Sequence, residues 1–304
     1  MKLINLNQAV YNALQFFGKT KPPRADFSKI NFPLVVGSGN AYNTGTILFA
    51  DKPAIFADES NFRATLKKYS SLLKKKVIKE AIVISASGEK DSVWELELAK
   101  KNKLKTILLT CSPESSAAKI ATKVYAYRKL SEPYTYNTST YLGMILSLTK
   151  EKPAKILSFL KQIKLSRNFK NYSGYTFVLP DQFLAICEML NIKGRELFGP
   201  YLQVRAYSEG HARHAKFVHQ DKNELVIGLG IKNKYFGNPK NRLDINIPKT
   251  ADFALMLCLG YSIIGRIQES KPAYFQKNIT KFCKDYGPKA YGNTKPFDII
   301  VPGN

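Results

Sequence analysis

Acidic residues are scarce in this chain: 23 Asp and Glu stand against 47 Lys and Arg, a formal net charge of +24 over 304 residues. Such an excess attracts polyanions and steers anionic substrates. The cations are spread along the sequence in small clusters, Lys67-Lys68, Lys74-Lys75-Lys76 and Lys100-Lys101. No aromatic-interleaved basic stripe or nucleic-acid motif accompanies them, so a generally cationic surface, not a nucleic-acid partner, is expected. Cysteine is also sparse. Cys111, Cys187, Cys258 and Cys283 form no CxxC pair, which argues against a zinc site or a disulfide framework and for buried free thiols in a cytoplasmic chain. No apolar run approaches the roughly 18 residues of a membrane-spanning helix. The segment Met1-Lys2-Leu3-Ile4-Asn5-Leu6 lacks the apolar stretch of a secretory leader. No short-period repeat or low-complexity segment is present.

What is there is ordinary globular material, 44% hydrophobic and 23% charged, long enough for two domains. Short apolar runs alternate with helical segments. Pro33 to Val36 ends in Gly37-Ser38-Gly39, Ala54 to Phe56 precedes a helix over Phe62 to Leu73, and Ala81 to Ile84 precedes one over Val93 to Lys101. Thr106 to Thr110, a helix over Ser115 to Thr122 and Val124 to Tyr127 follow, with a helix beginning near Ser139. That rhythm predicts βαβ units and a parallel sheet. The Lys-rich stretch Lys150 to Asn171 marks a boundary. The rhythm restarts with Tyr175 to Leu179, helical Phe183 to Leu190, Glu224 to Leu229, Leu243 to Ile247, and helices over Phe253 to Arg266 and Phe275 to Tyr286. The expected organisation is an N-terminal helical segment (1–30) and two doubly wound α/β subdomains, 31–155 and 156–304.

The densest chemical signal is Ser85-Ala86-Ser87-Gly88-Glu89-Lys90-Asp91-Ser92, directly after the Ala81–Ile84 run. A strand, a hydroxyl-rich turn and a helix N-terminus form a cradle for a multi-oxygen anion such as phosphate. The same residues would also suit a plain strand-to-helix turn with serine caps. In an open parallel sheet, ligands sit beyond the carboxyl ends of the strands. Gly37-Ser38-Gly39, Ser85 to Ser92 and Thr110-Cys111-Ser112 all fall there. The corresponding second-half loop, Pro180-Asp181-Gln182, has no such character.

All three histidines, His211, His214 and His219, share one window whose spacing fits neither HExxH nor a zinc finger. Surface decoration and acid–base chemistry both remain open for them. Glu196, flanked by Lys193 and Arg195, reads either as a base with cations beside it or as a solvated helix residue.

At these residues the chain resembles the sugar isomerase (SIS) domain family. The form it matches is the double-domain one found in phosphosugar isomerases, in the isomerase half of glucosamine-6-phosphate synthase and in phosphoglucose/phosphomannose isomerases. The resemblance runs from about Val35 to the C-terminus. Ser85-Ala86-Ser87-Gly88-Glu89 matches the family's Ser-x-Ser-Gly-Glu phosphate loop, and Val36 to Tyr42, including Ser38, Gly39 and Asn40, its first glycine loop. Glu132 with Thr135, Asn137 and Thr138 is similar to the segment that closes the sugar-phosphate pocket. Lys193-x-Arg195-Glu196 resembles the Lys-x-Lys-Glu stretch whose glutamate shuttles a proton between C1 and C2. Tyr201 to Tyr207, Gly210 and His214 resemble the segment ending in the ring-opening histidine. Departures are Lys90 for the usual threonine, Ala41 for a serine, Ala215 and Lys216 for a Gly-Pro pair, and about two extra residues before Tyr201. His211 stands close enough to compete with His214, and Lys295 is the weak counterpart of a C-terminal lysine.

The resemblance implies two flavodoxin-like SIS subdomains and aldose–ketose isomerisation of a hexose or amino-hexose phosphate through an enediolate. Ser38, Ser85, Ser87, Gly88, Lys90 and Ser92 would hold the phosphate, Glu196 would serve as base, and Lys193 or Arg195 would stabilise the intermediate. No metal or cofactor is called for, and a homodimer with a shared site is expected. Rival readings are a noncatalytic phosphosugar sensor, an amino-sugar phosphate deaminase and a charge-driven nucleic-acid binder. No glutaminase domain or helix-turn-helix segment is expected from the N-terminal sequence.

Overall fold

In the computed structural model, which describes residues 3–292 and 295–304, the chain opens with an amphipathic helix, α1 (Leu6–Lys19), that buries Leu6, Val10, Leu14 and Phe17. Met1 and Lys2, in the expected N-terminal segment, and Asn293 and Thr294, in the expected second subdomain, lie outside the described residues. Two compact units interleave along the sequence. The first comprises Thr20–Leu130, Thr140–Lys150 and Asn304; the second comprises Met1–Lys19, Ser131–Ser139 and Glu151–Gly303.

In the first unit five short β-branched runs form a wholly parallel sheet. These are β1 (Leu34–Gly37), β2 (Ile55–Ala57), β3 (Glu80–Ile84), β4 (Lys105–Thr110) and β5 (Lys123–Ala126), in the order β2-β1-β3-β4-β5. Their near-continuous burial reflects a sheet covered on both faces. The helices are α2 (Asn40–Leu48), α3 (Phe62–Lys68), α4 (Ser70–Lys74), α5 (Asp91–Lys101) and α6 (Ser116–Ile120). The single helix expected over Phe62 to Leu73 is two, because Tyr69 leaves helical geometry at φ −98°, ψ 18°. Alternate strand residues Leu34, Val36, Ala81, Val83 and Leu108 pack against Phe62 and Leu66 of α3 and Leu96 and Ala99 of α5. Strand order reverses between β1 and β3, so the loops after these two strands flank the switch point where such sheets bind ligands.

The chain continues through β6 (Glu132–Pro133), α7 (Thr138–Leu146) and α8 (Pro153–Gln162). The second unit's sheet is again parallel: β7 (Gly174–Leu179), β8 (Gln203–Ser208), β9 (Glu224–Leu229) and β10 (Arg242–Ile245), in the order β10-β9-β7-β8. Around it stand α9 (Leu184–Phe198), α10 (Glu209–Ala215), α11 (Phe253–Ser270), α12 (Tyr274–Lys284) and α13 (Tyr286–Ala290). A short β11 (Ile300–Val301) pairs antiparallel with β6, setting Val301 opposite Glu132. The backbones of α1 and α11 nearly touch: a Cβ on Gly265 would lie 2.0 Å from Asn7 N. Both sheets have the flavodoxin-like order, so the expected α/β class is the observed one. Among the described residues no helix is long and apolar enough to cross a membrane.

Candidate functional site

In the first unit, the segment leaving β3 is fixed by its own polar atoms. Ser85 Oγ accepts from Gly88 N (3.1 Å), Ser87 Oγ accepts from Glu89 N (3.3 Å), and Ser92 Oγ donates to Glu89 O (2.9 Å). The Ala86 carbonyl takes donors from the loop after β4: Cys111 N (3.0 Å), Thr110 Oγ1 (3.2 Å) and Ser112 Oγ (3.4 Å). Glu89 Oε1 accepts from Ser116 N at 2.9 Å. Gly88 sits at φ +63°, and a Cβ there would come 2.0 Å from Ser115 Oγ, so only glycine fits. Ser92 is buried and Ser85 half-buried, whereas Ser87 and Lys90 are exposed.

Lys90 precedes α5 at φ 58°, ψ −122°, a backbone region dominated by glycine. Partial burial lowers the pKa of its ammonium, against the Asp91 carboxylate, which raises it. Gly39 precedes α2 in nearly the same conformation, φ 55°, ψ −121°. The helices after β1 and β3 thus start alike, and in each, one first-turn amide already donates just outside the helix, Ala41 N to Ser38 O (3.0 Å) and Val93 N to Lys90 O (3.1 Å). Ser38 and Gly39 are exposed. Asn40 is buried, and its Oδ1 has no hydrogen-bond partner among the described residues.

Deeper under α5, Glu95 is buried and its carboxyl is pushed up to about 8 by burial and by Asp91, Glu59 and Asp58. Nothing in the sequence marked it.

In the second unit the chain after β6 bends sharply, with Thr135 at φ 73° and Asn137 at φ 47°. This turn faces its carbonyls to one cation. Lys193 Nζ donates to Thr135 O (2.6 Å), Tyr136 O (3.2 Å) and Glu196 Oε2 (2.6 Å). Lys193 is fully buried, while the Glu196 side chain keeps 27% exposure, one helical turn further along α9. The Lys193 ammonium also lies 5.4 Å from the Tyr261 ring centroid. Glu132 is buried and accepts from Ser139 N at 2.9 Å. Burial raises its carboxyl to about 7, opposed by the Ser139 hydrogen bonds and the Lys193 charge. The hydroxyls of Thr135 and Thr138 are buried without a partner among the described residues.

The Glu132–Thr138 segment and the Lys193–Glu196 pair, more than fifty residues apart in sequence, are thereby drawn together. Arg195 is exposed, whereas Lys193 and Glu196 form an ion pair. His211 and His214 are exposed on α10, whose start is capped by Ser208 Oγ accepting from His211 N (3.3 Å). Asp181, from the loop after β7, accepts from Gly210 N at 2.7 Å. Its carboxyl is held below the usual range by the Ser208 hydroxyl and the Gly210 amide. Asp181 therefore fixes where the histidine helix begins, a role the Pro180-Asp181-Gln182 sequence did not announce. His219 and Lys295 are exposed. Among the described residues no group of three His, Cys, Asp or Glu side chains is disposed to hold a metal ion.

A doubly repeated flavodoxin-like sheet with a serine–glycine loop at its switch point defines the class, and solved structures share it. No protein-family model matches the chain. The fold is similar to the C-terminal domain of glucosamine-fructose-6-phosphate aminotransferase from Francisella tularensis, with TM-score 0.54, 15% identity and coverage of 87% of this chain and 93% of that one. It is also similar to glucosamine-6-phosphate deaminase from Thermotoga maritima (TM-score 0.58, 14% identity, 87% and 92% covered). Tagatose-6-phosphate ketose/aldose isomerase from Escherichia coli gives TM-score 0.56 and 14% identity, with 87% and 86% covered. In sequence, the chain is 25% identical over 193 residues to the isomerizing glutamine–fructose-6-phosphate aminotransferase of Helicobacter pylori. That match covers 54% of this chain and 32% of the relative, so the chain spans about a third of that protein's length. The expected likeness to sugar isomerase domain proteins is thus met at the level of fold.

Proposed function

We propose that this protein binds a sugar phosphate and interconverts its aldose and ketose forms. The observation that carries the reading is the placement of orphaned polar atoms. Among the buried side-chain atoms without a hydrogen-bond partner, which also include Asn7 Oδ1, Glu95 Oε1, Thr149 Oγ1 and Gln276 Oε1, Asn40 Oδ1 in the first unit and Thr135 Oγ1 and Thr138 Oγ1 in the second belong to segments that resemble the family's ligand-binding ones. Buried polar groups ordinarily find partners, and a ligand rich in hydroxyl and ester oxygens supplies them.

In this reading the ester is gripped by Ser38, Ser85, Ser87, Gly88, Lys90 and Ser92 with the first-turn amides of α5. Ser92 and Ser85 chiefly shape the loop, since their oxygens already hold Glu89 O and Gly88 N; Ser87 and Lys90 are its outward donors. Glu196 takes the proton from C2 and returns it to C1, and Lys193, whose three N–H bonds go to Thr135 O, Tyr136 O and Glu196 Oε2, holds that carboxylate in place. Glu132, held by Ser139, shapes the turn that carries Thr135 and Thr138. His214, or His211, moves the proton between ring oxygen and hydroxyl that opens the sugar. Exposure of both on α10 suits a homodimer in which a partner's site receives them. The route asks for no cofactor, and the 31–155 and 156–304 division belongs to the same proposal.

Fructose 6-phosphate incubated with the protein in deuterated water tests this. Solvent deuterium should enter the product, and Glu196→Gln should abolish incorporation while leaving sugar-phosphate affinity within about threefold. Binding without incorporation makes the protein a sensor, and ammonia from glucosamine 6-phosphate makes it a deaminase; either outcome rejects the isomerase.

A further inference from the structure

Eight of the 47 cations, none of which the sugar-phosphate reading uses, are brought by the fold onto one edge of the first sheet. Strands of a parallel sheet all begin at the same edge, and the helices that precede them end there. The turn from α4 into β3 carries Lys74, Lys75, Lys76 and Lys79. That from α5 into β4 carries Lys100, Lys101, Lys103 and Lys105. β3 and β4 are hydrogen-bonded neighbours with Glu80 opposite Lys105, so the two turns lie side by side. All eight lysines are exposed, and none is in an ion pair among the described residues.

The acids of these segments are Glu80, half-buried at the start of β3, and Glu97, one turn back on α5. Lysines in the last turn of a helix complement its dipole, which accounts for Lys74, Lys100 and Lys101. Lys75, Lys76, Lys79, Lys103 and Lys105 lie beyond the helices and have no such role. Lys76 and Lys103 sit at φ 55° and 61°, each closing its turn in the left-handed region. The candidate phosphate loop leaves β3 at its opposite, carboxyl end, so this edge does not form that site.

We infer that the amino-terminal edge of the first sheet is a docking surface for the phosphate backbone of a nucleic-acid duplex, bound without regard to sequence. The surface offers many flexible ammonium groups and, among the described residues, no exposed aromatic ring on which unpaired bases could stack. Among the described residues its one exposed large apolar side chain is Val77, too little to anchor in a lipid surface.

The test is fluorescence anisotropy of a labelled 20-base-pair mixed-sequence duplex with the full chain, between about 50 and 200 mM salt. If half of the eight lysines reach phosphates, log affinity falls against log salt with a slope of about −4. Lys74, Lys75, Lys100 and Lys101 are changed together to Gln in one variant. In the control, Lys152, Lys155, Lys161 and Lys164, four exposed lysines of the second unit, are changed to Gln at the same net charge. The edge variant should bind at least tenfold more weakly at 100 mM salt with a flatter slope. The control should stay within twofold, and glucose 6-phosphate at matched ionic strength should not compete. Equal losses in both variants, absence of duplex binding at 50 mM, competition by the sugar phosphate, or edge-dependent binding to anionic vesicles in preference to duplex would each overturn the inference.

Discussion

Lys90→Gly sets stability against binding at one residue. The native backbone there, φ 58°, ψ −122°, is one that glycine adopts freely and a side chain adopts at a cost of about 1–3 kcal/mol. Glycine also loosens the unfolded chain, which takes back roughly 0.5–1 kcal/mol. The net expectation is a fold more stable by about 0–2 kcal/mol, read as a higher urea midpoint with unchanged slope. The same change removes an exposed ammonium from the rim of the Ser85–Ser92 loop. One charge-assisted hydrogen bond to a phosphate contributes about 1–3 kcal/mol, so sugar-phosphate affinity should fall by roughly 5- to 150-fold. Lys90→Ala separates the two effects, because it keeps the strain and loses the charge: binding weakens and stability does not rise. Calorimetric titration and urea denaturation on the three proteins give both numbers. If Lys90→Gly lowers the urea midpoint and leaves affinity unchanged, the reasoning about this loop fails on both counts.

Gly88→Ala should destabilise the first unit by about 2–5 kcal/mol, from a positive φ and a Cβ 2.0 Å from Ser115 Oγ; Ser115→Gly in the same chain should restore part of it, measured by urea midpoint. Thr138→Val removes a buried hydroxyl that has no partner, so thermal stability should hold or rise while sugar-phosphate affinity drops; a lower melting temperature with unaltered affinity contradicts the proposed contact. Glu132, raised to about 7 from an ordinary value of 4.5, and Glu95, raised to about 8, both bind protons more tightly folded than unfolded. Stability should therefore fall as pH rises from about 4.5 through 7 to 8, by up to about 3 kcal/mol for Glu132. In Glu132→Gln and Glu95→Gln that decline should be shallower; parallel curves for variant and parent would remove the two carboxyls as its source.

The sheets were legible because parallel strands buried on both faces read as short apolar runs: Ala81–Ile84 and Thr106–Thr110 stand out without help. β8 was not read as a strand, although Gln203–Ser208 alternates exposed and buried residues as an edge strand does, with Val204, Ala206 and Ser208 buried. The helical stretch Phe183 to Leu190 and the helical surroundings of Glu196 were read apart and are one helix, α9, running to Phe198; the fully buried Lys193 interrupts the apolar periodicity between them. The Ser85–Ser92 loop was visible from residue types alone, since hydroxyls and glycine are local signals. The link of Lys193 to the Thr135 and Tyr136 carbonyls was not, because it rests on a bend with two non-glycine positive φ values. The lysine edge was hidden for a related reason. Four residues in each of two separate turns look dispersed until the register of β3 and β4 sets the turns beside each other.

Titration calorimetry with glucose 6-phosphate, fructose 6-phosphate and the matching free sugars, on the parent chain and Ser87→Ala, tests the central claim most directly. The account predicts heat for at least one phosphate ester, none for its unphosphorylated parent, and about 5- to 30-fold weaker binding in the variant. Equal affinity for ester and free sugar, or no heat for any phosphate ester from a folded protein, would contradict it.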